Sequence, residues 1–409
     1  MTTELRQLCP DDWADWYGRL ERAFGGPPEA ADERELWRRL GEPERCMDVR
    51  DGGETVGTAG AYSFRLVVPG GAVLPAAGVT LVSVQPTHRR RGILRDMMRH
   101  QLADVRARRE PLAVLTASEP AIYGRFGYGT ASEAVSLSLD TLRLSVAVPA
   151  GAEDVRLRLV GPEEGLADCE KVYERLVTGR PGMLVRQPGW ERLPLLDPEA
   201  DRDGAGPLLC VLAEVAGRVR GYARYAVKAA WDGGGPDGTV VVRDVEALDP
   251  VVYAALWRYL FGIDLTSKLT ARNRPADDPL LHLVDDMRRC RIAVRESLFV
   301  RLVEVGEALA ARTYATPLDV VLDVADPFCP WSEGRWRLTG DEKGASCELT
   351  TDAADLALSV RELGAAYLGG FTLAALAGAG RVRELRPGAL REASVAFGTQ
   401  LKPWLPHGF

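Results

Sequence analysis

Long apolar runs are missing from this sequence. No stretch reaches the roughly 18–20 apolar residues that a helix needs to cross a bilayer, so no membrane association is predicted. The opening residues, MTTELRQLCPDDW, are polar and acidic, which argues against a secretory leader and for a cytoplasmic protein. Histidine is scarce, with four scattered copies. The seven cysteines, at positions 9, 46, 169, 210, 290, 329 and 347, are odd in number and contain no CxxC. That argues against a disulfide framework and against a metal site, and leaves buried thiols in a reducing compartment. An excess of basic charge is also absent. The net charge of −7 disfavours nucleic acid and fits a small or cationic partner. No GxxxxGKS/T is present, which disfavours a P-loop.

What is there is enough chain and apolar content for more than one core. The 409 residues are 46% hydrophobic and 27% charged, which predicts two or three domains. Trp13, Trp16, Leu20 and Phe24 recur at helical spacing, with Asp11 as the expected N-cap. ADERELWRRLG is a second helical stretch that stops at Gly41. From Cys46 the period shortens to alternation, punctuated by Asp51-Gly52-Gly53 and Pro69-Gly70-Gly71, which predicts an antiparallel meander ending in Val79–Val84. An amphipathic helix follows, with Ile93, Leu94, Met97, Met98, Leu102 and Val105 on one face. After Pro111 come the strand LAVLTAS and a glycine-rich corner, EPAIYGRFGYGTAS. The order of strand, turn and helix recurs loosely in residues 151–300, without the arginines and glycine of the first copy. From about 301 a small sheet followed by apolar helices is expected. The predicted domains are thus 1–150, 151–300 and 301–409.

The segment VSVQPTHRRRGILRDMM places three arginines and a glycine where a strand gives way to a helix. Helix N-termini present unpaired N–H groups and about half a positive charge, so an anion is favoured there. Arg90 and Arg91 add to that field. Gly92 removes a side chain where a ligand meets the backbone. If Val82, Ser83 and Val84 splay from the next strand, their backbone can pair with an extended, amide-bearing ligand. Coenzyme A carries both a pyrophosphate and such an arm.

This segment resembles the acetyl-CoA signature of the GNAT N-acetyltransferases, Gln/Arg-x-x-Gly-x-Gly/Ala. Arg89 to Ile93 match it, while Leu94 stands at the final Gly/Ala position. Together with EPAIYGRFGYGTAS and the terminal Phe, it resembles the Eis-like family of GNAT N-acetyltransferases over the whole chain. The resemblance implies an α/β (α+β) protein: tandem GNAT-like domains, the second degenerate, then a sterol-carrier-protein-like α+β domain. It implies acetyl-CoA as the acetyl donor, held by Val82, Ser83, Val84, Arg90, Arg91, Gly92, Ile93, Leu94, Arg95, Ser118 and Glu119. It implies Tyr123 as general acid, the carboxylate of Phe409 as general base, and a homohexamer.

Transfer from a thioester to an amine requires a proton lost by the nitrogen and one gained by the sulfur. A phenol, with a reference pKa of about 10 against about 8.5 for a thiol, can supply the second. An α-carboxyl near 3.5 facing an amine near 10 is mismatched by roughly 6 pKa units, or about 8 kcal/mol, so the base needs help from its surroundings. Tyr128 is expected to be a packing residue. The family's acceptors are amines of polycationic small molecules such as aminoglycosides, or lysine-like and peptide amines. Glu29, Asp32, Glu33 and Glu35 would attract a polycation, with Phe24 and Trp37 as apolar walls. Members with broad aminoglycoside activity carry an acidic residue before the terminal Phe, whereas Gly408 stands here. Two alternatives are a hydrophobic-ligand carrier using the C-terminal domain, and a CoA-binding sensor without turnover.

Overall fold

A computed structural model describes residues 3–409. The chain forms two compact units. One contains the residues up to Ser132, Arg180–Val185 and Ser297–Phe409; the other contains Glu133–Gly179 and Arg186–Glu296.

In the first unit, β1 (Glu4–Gln7) leads through a 3-10 turn, Pro10–Asp12, into α1 (Trp13–Phe24). The helical spacing of Trp13, Trp16, Tyr17 and Leu20 buries all four on one face. Asp11, expected as the cap, lies inside the 3-10 turn instead, and no side chain caps α1. The proline at position 10 fixes that turn and delays the helix. Next come α2 (Ala31–Leu40), ending at Gly41, then β2 (Met47–Asp51), β3 (Glu54–Val67) and β4 (Val73–Val84). The last three form the expected antiparallel meander. After it follow α3 (Ile93–Ala107), β5 (Leu112–Thr116), a 3-10 turn at Pro120–Phe126 and β6 (Gly129–Thr130). The apolar face of α3 sends Met98, Leu102 and Val105 into a core shared with Ala77, Val79, Ala113 and Leu115.

The chain then builds a second sheet. Its elements are β7 (Glu133–Asp140), β8 (Arg156–Val160), α4 (Pro162–Leu176), β9 (Leu209–Val215) and β10 (Arg218–Lys228). A small hairpin, β11 (Trp231–Asp232) and β12 (Gly235–Pro236), precedes β13 (Gly238–Ala247), α5 (Pro250–Phe261), β14 (Thr266–Pro275), α6 (Leu280–Leu283) and β15 (Cys290–Glu296). The strand order is β15-β7-β14-β13-β10-β9-β8.

The chain returns to the first sheet with β16 (Leu298–Leu302), which lies between β5 and β6. The first sheet therefore runs β1-β2-β3-β4-β5-β16-β6. Each sheet takes a strand from beyond the cuts expected at 150 and 300: β7 belongs to the second sheet and β16 to the first. The buried edge of β5 needs backbone partners, and β16 supplies them from Leu298↔Thr116 to Leu302↔Leu112.

The third segment contains α7 (Val305–Ala310), β17 (Leu318–Ala325), β18 (Gly334–Asp341), β19 (Gly344–Leu349), β20 (Leu356–Ser359), α8 (Val360–Tyr367), α9 (Leu373–Gly378), β21 (Val382–Glu384) and α10 (Ala389–Ala396). Its sheet runs β19-β18-β17-β20-β21. Helix α8 rests directly on the first sheet. A Cβ at Gly129 would sit 2.0 Å from the carbonyl oxygen of Arg361, and one at Gly364 would sit 2.2 Å from that of Val300. Only glycine permits this approach of backbone to backbone, and it fixes the third segment against β6 and β16. Among the described residues, no helix is long and apolar enough to cross a membrane.

Candidate active site

The site begins as an irregularity in β4. Opposite β3, Thr58 pairs with Ser83 and Gly60 with Thr80, so Ala59 faces both Leu81 and Val82. That is a β-bulge. Leu81 takes the strain in the left-handed region, with φ 55°, at a cost on the order of 1–2 kcal/mol for a residue with a Cβ. Three residues ahead of the bulge β4 leaves its other neighbour. Parallel pairing with β5 runs from Ala76↔Leu112 to Gly78↔Val114 and stops there, while β5 stays paired with β16 as far as Thr116. The two strands form a fork. Val82, Ser83 and Val84 lie on the open prong, with no ladder partner on the β5 side.

The open prong leads straight to the helix N-terminus. After the 3-10 turn Pro86–His88, Arg90 has φ 63° and Gly92 has φ 90°. Gly92 is the N-cap of α3, and no side chain caps the helix. The first-turn N–H groups at Ile93, Leu94 and Arg95 therefore face outward as anion donors. Arg90, Arg91 and Arg95 are exposed around them. Arg91 lies 3.8 Å from Asp51, Arg95 lies 3.6 Å from Asp96, and both remain more than half exposed. His88 is turned toward Asp51, at 3.2 Å, and away from any ligand role.

The other prong ends in Ser118 and Glu119, both exposed, and then the turn that carries Tyr123. Tyr123 is half-buried. Burial, reinforced by the charge of Glu119, pushes its hydroxyl up to about 12. Its ring meets Tyr128 edge-on at 6.1 Å, and Tyr128 is a core residue at 1% exposure. The turn is held from below by the fully buried Arg301 of β16. Its guanidinium donates to the carbonyl of Phe126 and to Asp326. Asp326 in turn accepts the N–H groups of Phe328 and Cys329. A Cβ at Gly127 would fall 1.6 Å from that guanidinium, so the corner requires glycine.

Phe409 lies at the base of the fork. Its ring meets Phe64 edge-on at 4.7 Å. A Cβ at Gly78 would sit 3.3 Å from the Phe409 ring and 2.2 Å from the Phe64 ring. Gly78 is the last β4 residue still paired with β5. The tail is docked along its length: Trp404 and Leu405 are buried, and the N–H of Trp404 donates to Pro181 at 2.9 Å. Upstream, the wholly buried Arg312 donates to the carbonyls of Tyr367 and Phe397, at the ends of α8 and α10. The negative ends of two helices thus face a guanidinium, which lies over the rings of Tyr314 and Phe397 at 4.6 and 4.7 Å.

On the acceptor side, Trp37 stacks on Tyr62 at 6.4 Å and Tyr62 meets Phe64 at 5.7 Å. Trp37, Tyr62, Phe64 and Phe409 thus form one ladder of rings. Glu29 accepts the hydroxyl of Tyr17 at 2.7 Å, and Glu42 accepts both N–H and hydroxyl of Ser63 at 2.6 Å. Of the residues expected at the acceptor cleft, Trp37 joins this ladder. Phe24, at 59% exposure, and Asp32, which accepts the N–H of Glu33, lie at exposed positions outside it. Glu35 is engaged by Arg38 and Arg39 on the helix surface. Sequence reasoning missed Tyr62, Phe64, Gly78 and Glu42; the alternation Tyr62-Ser63-Phe64 within β3 was the available signal.

The fork, the uncapped helix and the docked tail can be compared with known proteins. Residues 4–131 match a family model described as acetyltransferase (GNAT) domain, residues 182–302 a second model of the same description, and residues 305–406 a sterol carrier protein domain. The chain is 63% identical, over the full length of both, to an uncharacterized N-acetyltransferase of Streptomyces avermitilis. It is 34% identical to N-acetyltransferase Eis of Mycobacterium tuberculosis over 98% of each chain. The crystal structure of Eis1 from Mycobacterium abscessus superposes with a TM-score of 0.85 at 33% identity, covering all of both chains. The chain belongs to the Eis-like family of GNAT N-acetyltransferases. It is an acetyltransferase enzyme, with two GNAT domains and an SCP2-like third domain, and GNAT domains use acetyl-CoA.

The second GNAT domain shows why its copy of the site is degenerate. Strands β13 and β14 also pair in parallel, from Gly238↔Thr266 to Val242↔Ala271, and then part. Here the gap is filled from within. Arg274 of β14, 3% exposed, donates to the carbonyl of Val245 at 3.2 Å and to Asp278 at 2.7 Å. Helix α5 is capped by the carboxylate of Asp249, which accepts the N–H of Val252 at 2.9 Å. A side-chain carboxylate thus caps the helix that follows this parting, and a buried guanidinium lies against the backbone of β13. In the SCP2-like domain, Leu322, Leu338, Leu356 and Leu363 fill the interior. A cleft there is lined by the charged residues Asp323, Glu333, Arg381 and Arg383 together with Val324, Ala325, Ala357, Leu358 and Gly380.

Proposed function

We propose that this enzyme acetylates primary amines of polycationic small molecules, aminoglycoside-like or lysine-like, at the fork between β4 and β5. The observation that carries the reading is the docking of Phe409 on Phe64 and Gly78 at the base of that fork. Acetyl-CoA supplies the acetyl thioester. Its pyrophosphate fits the first-turn N–H groups of Ile93, Leu94 and Arg95, with Gly92 giving room and Arg90 and Arg91 giving charge. The open edge Val82–Val84 offers backbone groups to the pantetheine amides, and Ser118 and Glu119 border the opposite prong. The acceptor nitrogen forms a bond to the acetyl carbon as the carbon–sulfur bond breaks. Tyr123 gives its proton to the departing sulfur, and the Phe409 carboxylate takes the proton lost by nitrogen. Transfer of the carboxylate's proton to bulk water and of a proton back to Tyr123 closes the cycle.

The polycation specificity rests on carboxylates beside the ring ladder, Glu29 and Glu42, with Trp37 as wall; Phe24 and Asp32 form an outer rim. Assembly as a homohexamer and a cytoplasmic location belong to the same proposal. The test compares the native chain with one extended by three residues after Phe409, following CoA release against a panel of amines. The extended chain is expected to keep its CoA affinity within about twofold and to lose turnover by about 100-fold or more, as for removal of a general base. Equal turnover of both chains would exclude the carboxylate. Binding of CoA without turnover on any amine would favour a sensor.

A further inference from the structure

The bulge in β4 is strained and central to the fork, so whatever holds it is part of the site. Two side chains away from the open cleft reach it. Thr58 of β3, fully buried, donates its hydroxyl proton to the carbonyl of Leu81 at 2.8 Å. With that proton committed, the Ser83 hydroxyl at 2.8 Å must donate to the Thr58 oxygen. One hydroxyl thus bridges the two β4 residues on either side of Val82. From the other direction Gln101, 3% exposed on α3, donates its amide to the carbonyl of Gly60 at 2.8 Å, beside the bulge on β3. Gln101 lies just over two turns along the helix whose first turn offers the anion site.

We propose that Thr58 and Gln101 are positioning residues, which hold the β4 bulge and so keep the pantetheine edge of the fork open and in register with the N-terminus of α3. The inference rests on the fork being the acetyl-CoA site. The strands part after Gly78, and the bulge that follows at Leu81 and Val82 bends and twists the freed edge, which sets how Val82, Ser83 and Val84 are presented. Leu81 pays for its left-handed backbone only while its carbonyl is satisfied. Neither Thr58 nor Gln101 is among the residues assigned to ligand contact.

The experiment compares CoA with ADP, which shares the pyrophosphate but lacks the arm, by calorimetry on the full chain. In Thr58→Val, nearly isosteric and without the hydroxyl, CoA affinity is expected to fall about tenfold while ADP affinity stays within about twofold. Thr58→Ser should behave as the native chain. Leu81→Gly in the Thr58→Val background should restore CoA affinity, because glycine takes the left-handed backbone freely. Gln101→Leu should mirror Thr58→Val. Equal losses for CoA and ADP, or no rescue in a double variant that retains the native melting temperature, would overturn the positioning role. Should Thr58→Val fail to fold, the single variant Leu81→Gly decides: native CoA affinity supports the proposal and a tenfold loss sinks it. A native chain that binds CoA no better than ADP would instead refute the fork as the site of the pantetheine arm.

Discussion

The ring of Phe409 touches the ring of Phe64 edge-on at 4.7 Å, across 345 positions of sequence, and both lie over Gly78. A methyl group at Gly78 would come within 2.2 Å of Phe64. Phe64 is buried in strand β3 and must shift to admit it, taking Phe409 with it. Gly78→Ala is therefore expected to lower stability by about 1–3 kcal/mol and turnover by at least about tenfold. CoA affinity should change little, because the proposed anion site at the start of α3 is untouched. Gly408→Ala is the control, since a Cβ there meets nothing within 4 Å. Denaturation curves and steady-state kinetics on the two variants check this.

Tyr123 has its hydroxyl pushed up to about 12 by burial and by Glu119. A phenol with a raised pKa keeps its proton throughout the ordinary working range. The alkaline limb of the kcat–pH profile should then lie near 12, and no limb below about 11 should belong to Tyr123. Tyr123→Phe should reduce kcat by about 10²–10⁴-fold with CoA affinity nearly constant. A kcat equal to that of the native chain would sink the donor role.

Arg312 is buried without a carboxylate and is held by the carbonyls of Tyr367 and Phe397. Burial lowers its pKa, in line with a charge that only backbone dipoles solvate. Arg312→Met leaves both carbonyls unpaired, at about 1–3 kcal/mol each. A loss of several kcal/mol in unfolding free energy is expected. Limited proteolysis after Phe397 should accelerate, because the helix ends that launch the tail come loose.

Glu246, in the second unit, lies 3.9 Å from Arg274 and is pushed up to about 7, chiefly by burial. A carboxyl with a folded-state pKa above its unfolded value of about 4.3 binds its proton more tightly when folded. Its contribution to stability is greatest below about pH 4 and is lost as pH rises through 7. Relative to the native chain, Glu246→Gln should therefore gain a few kcal/mol between pH 5 and pH 8. Chemical denaturation at the two pH values measures the difference.

Local order was legible wherever a short period or a turn signal set it. The spacing of Trp13, Trp16 and Leu20 places α1, and Gly52-Gly53 with Gly70-Gly71 place the meander, because side-chain burial on one face decides both. The passage from strand through the arginine turn to α3 was equally readable, since its signals are contained in adjacent residues. What escaped was non-local. Strand β16 inserts beside β5 from beyond an expected boundary, and nothing in LFVRL records which edge it fills. The bulge also hides: VTLVSV reads as a regular strand, whereas Leu81 adopts φ 55° where the register with β3 shifts. The role proposed for the terminal residue came from family likeness, whereas its ring partner Phe64 and its place over Gly78 required the three-dimensional arrangement.

Under the proposed function, the filled gap between β13 and β14 carries a consequence for stoichiometry. With Arg274 bonded to the backbone of Val245 and Asp249 capping α5, the proposed donor site at the first fork has no open counterpart in the second GNAT domain. A titration of the chain should saturate at a single equivalent, and any communication between donors must pass between separate copies of the protein.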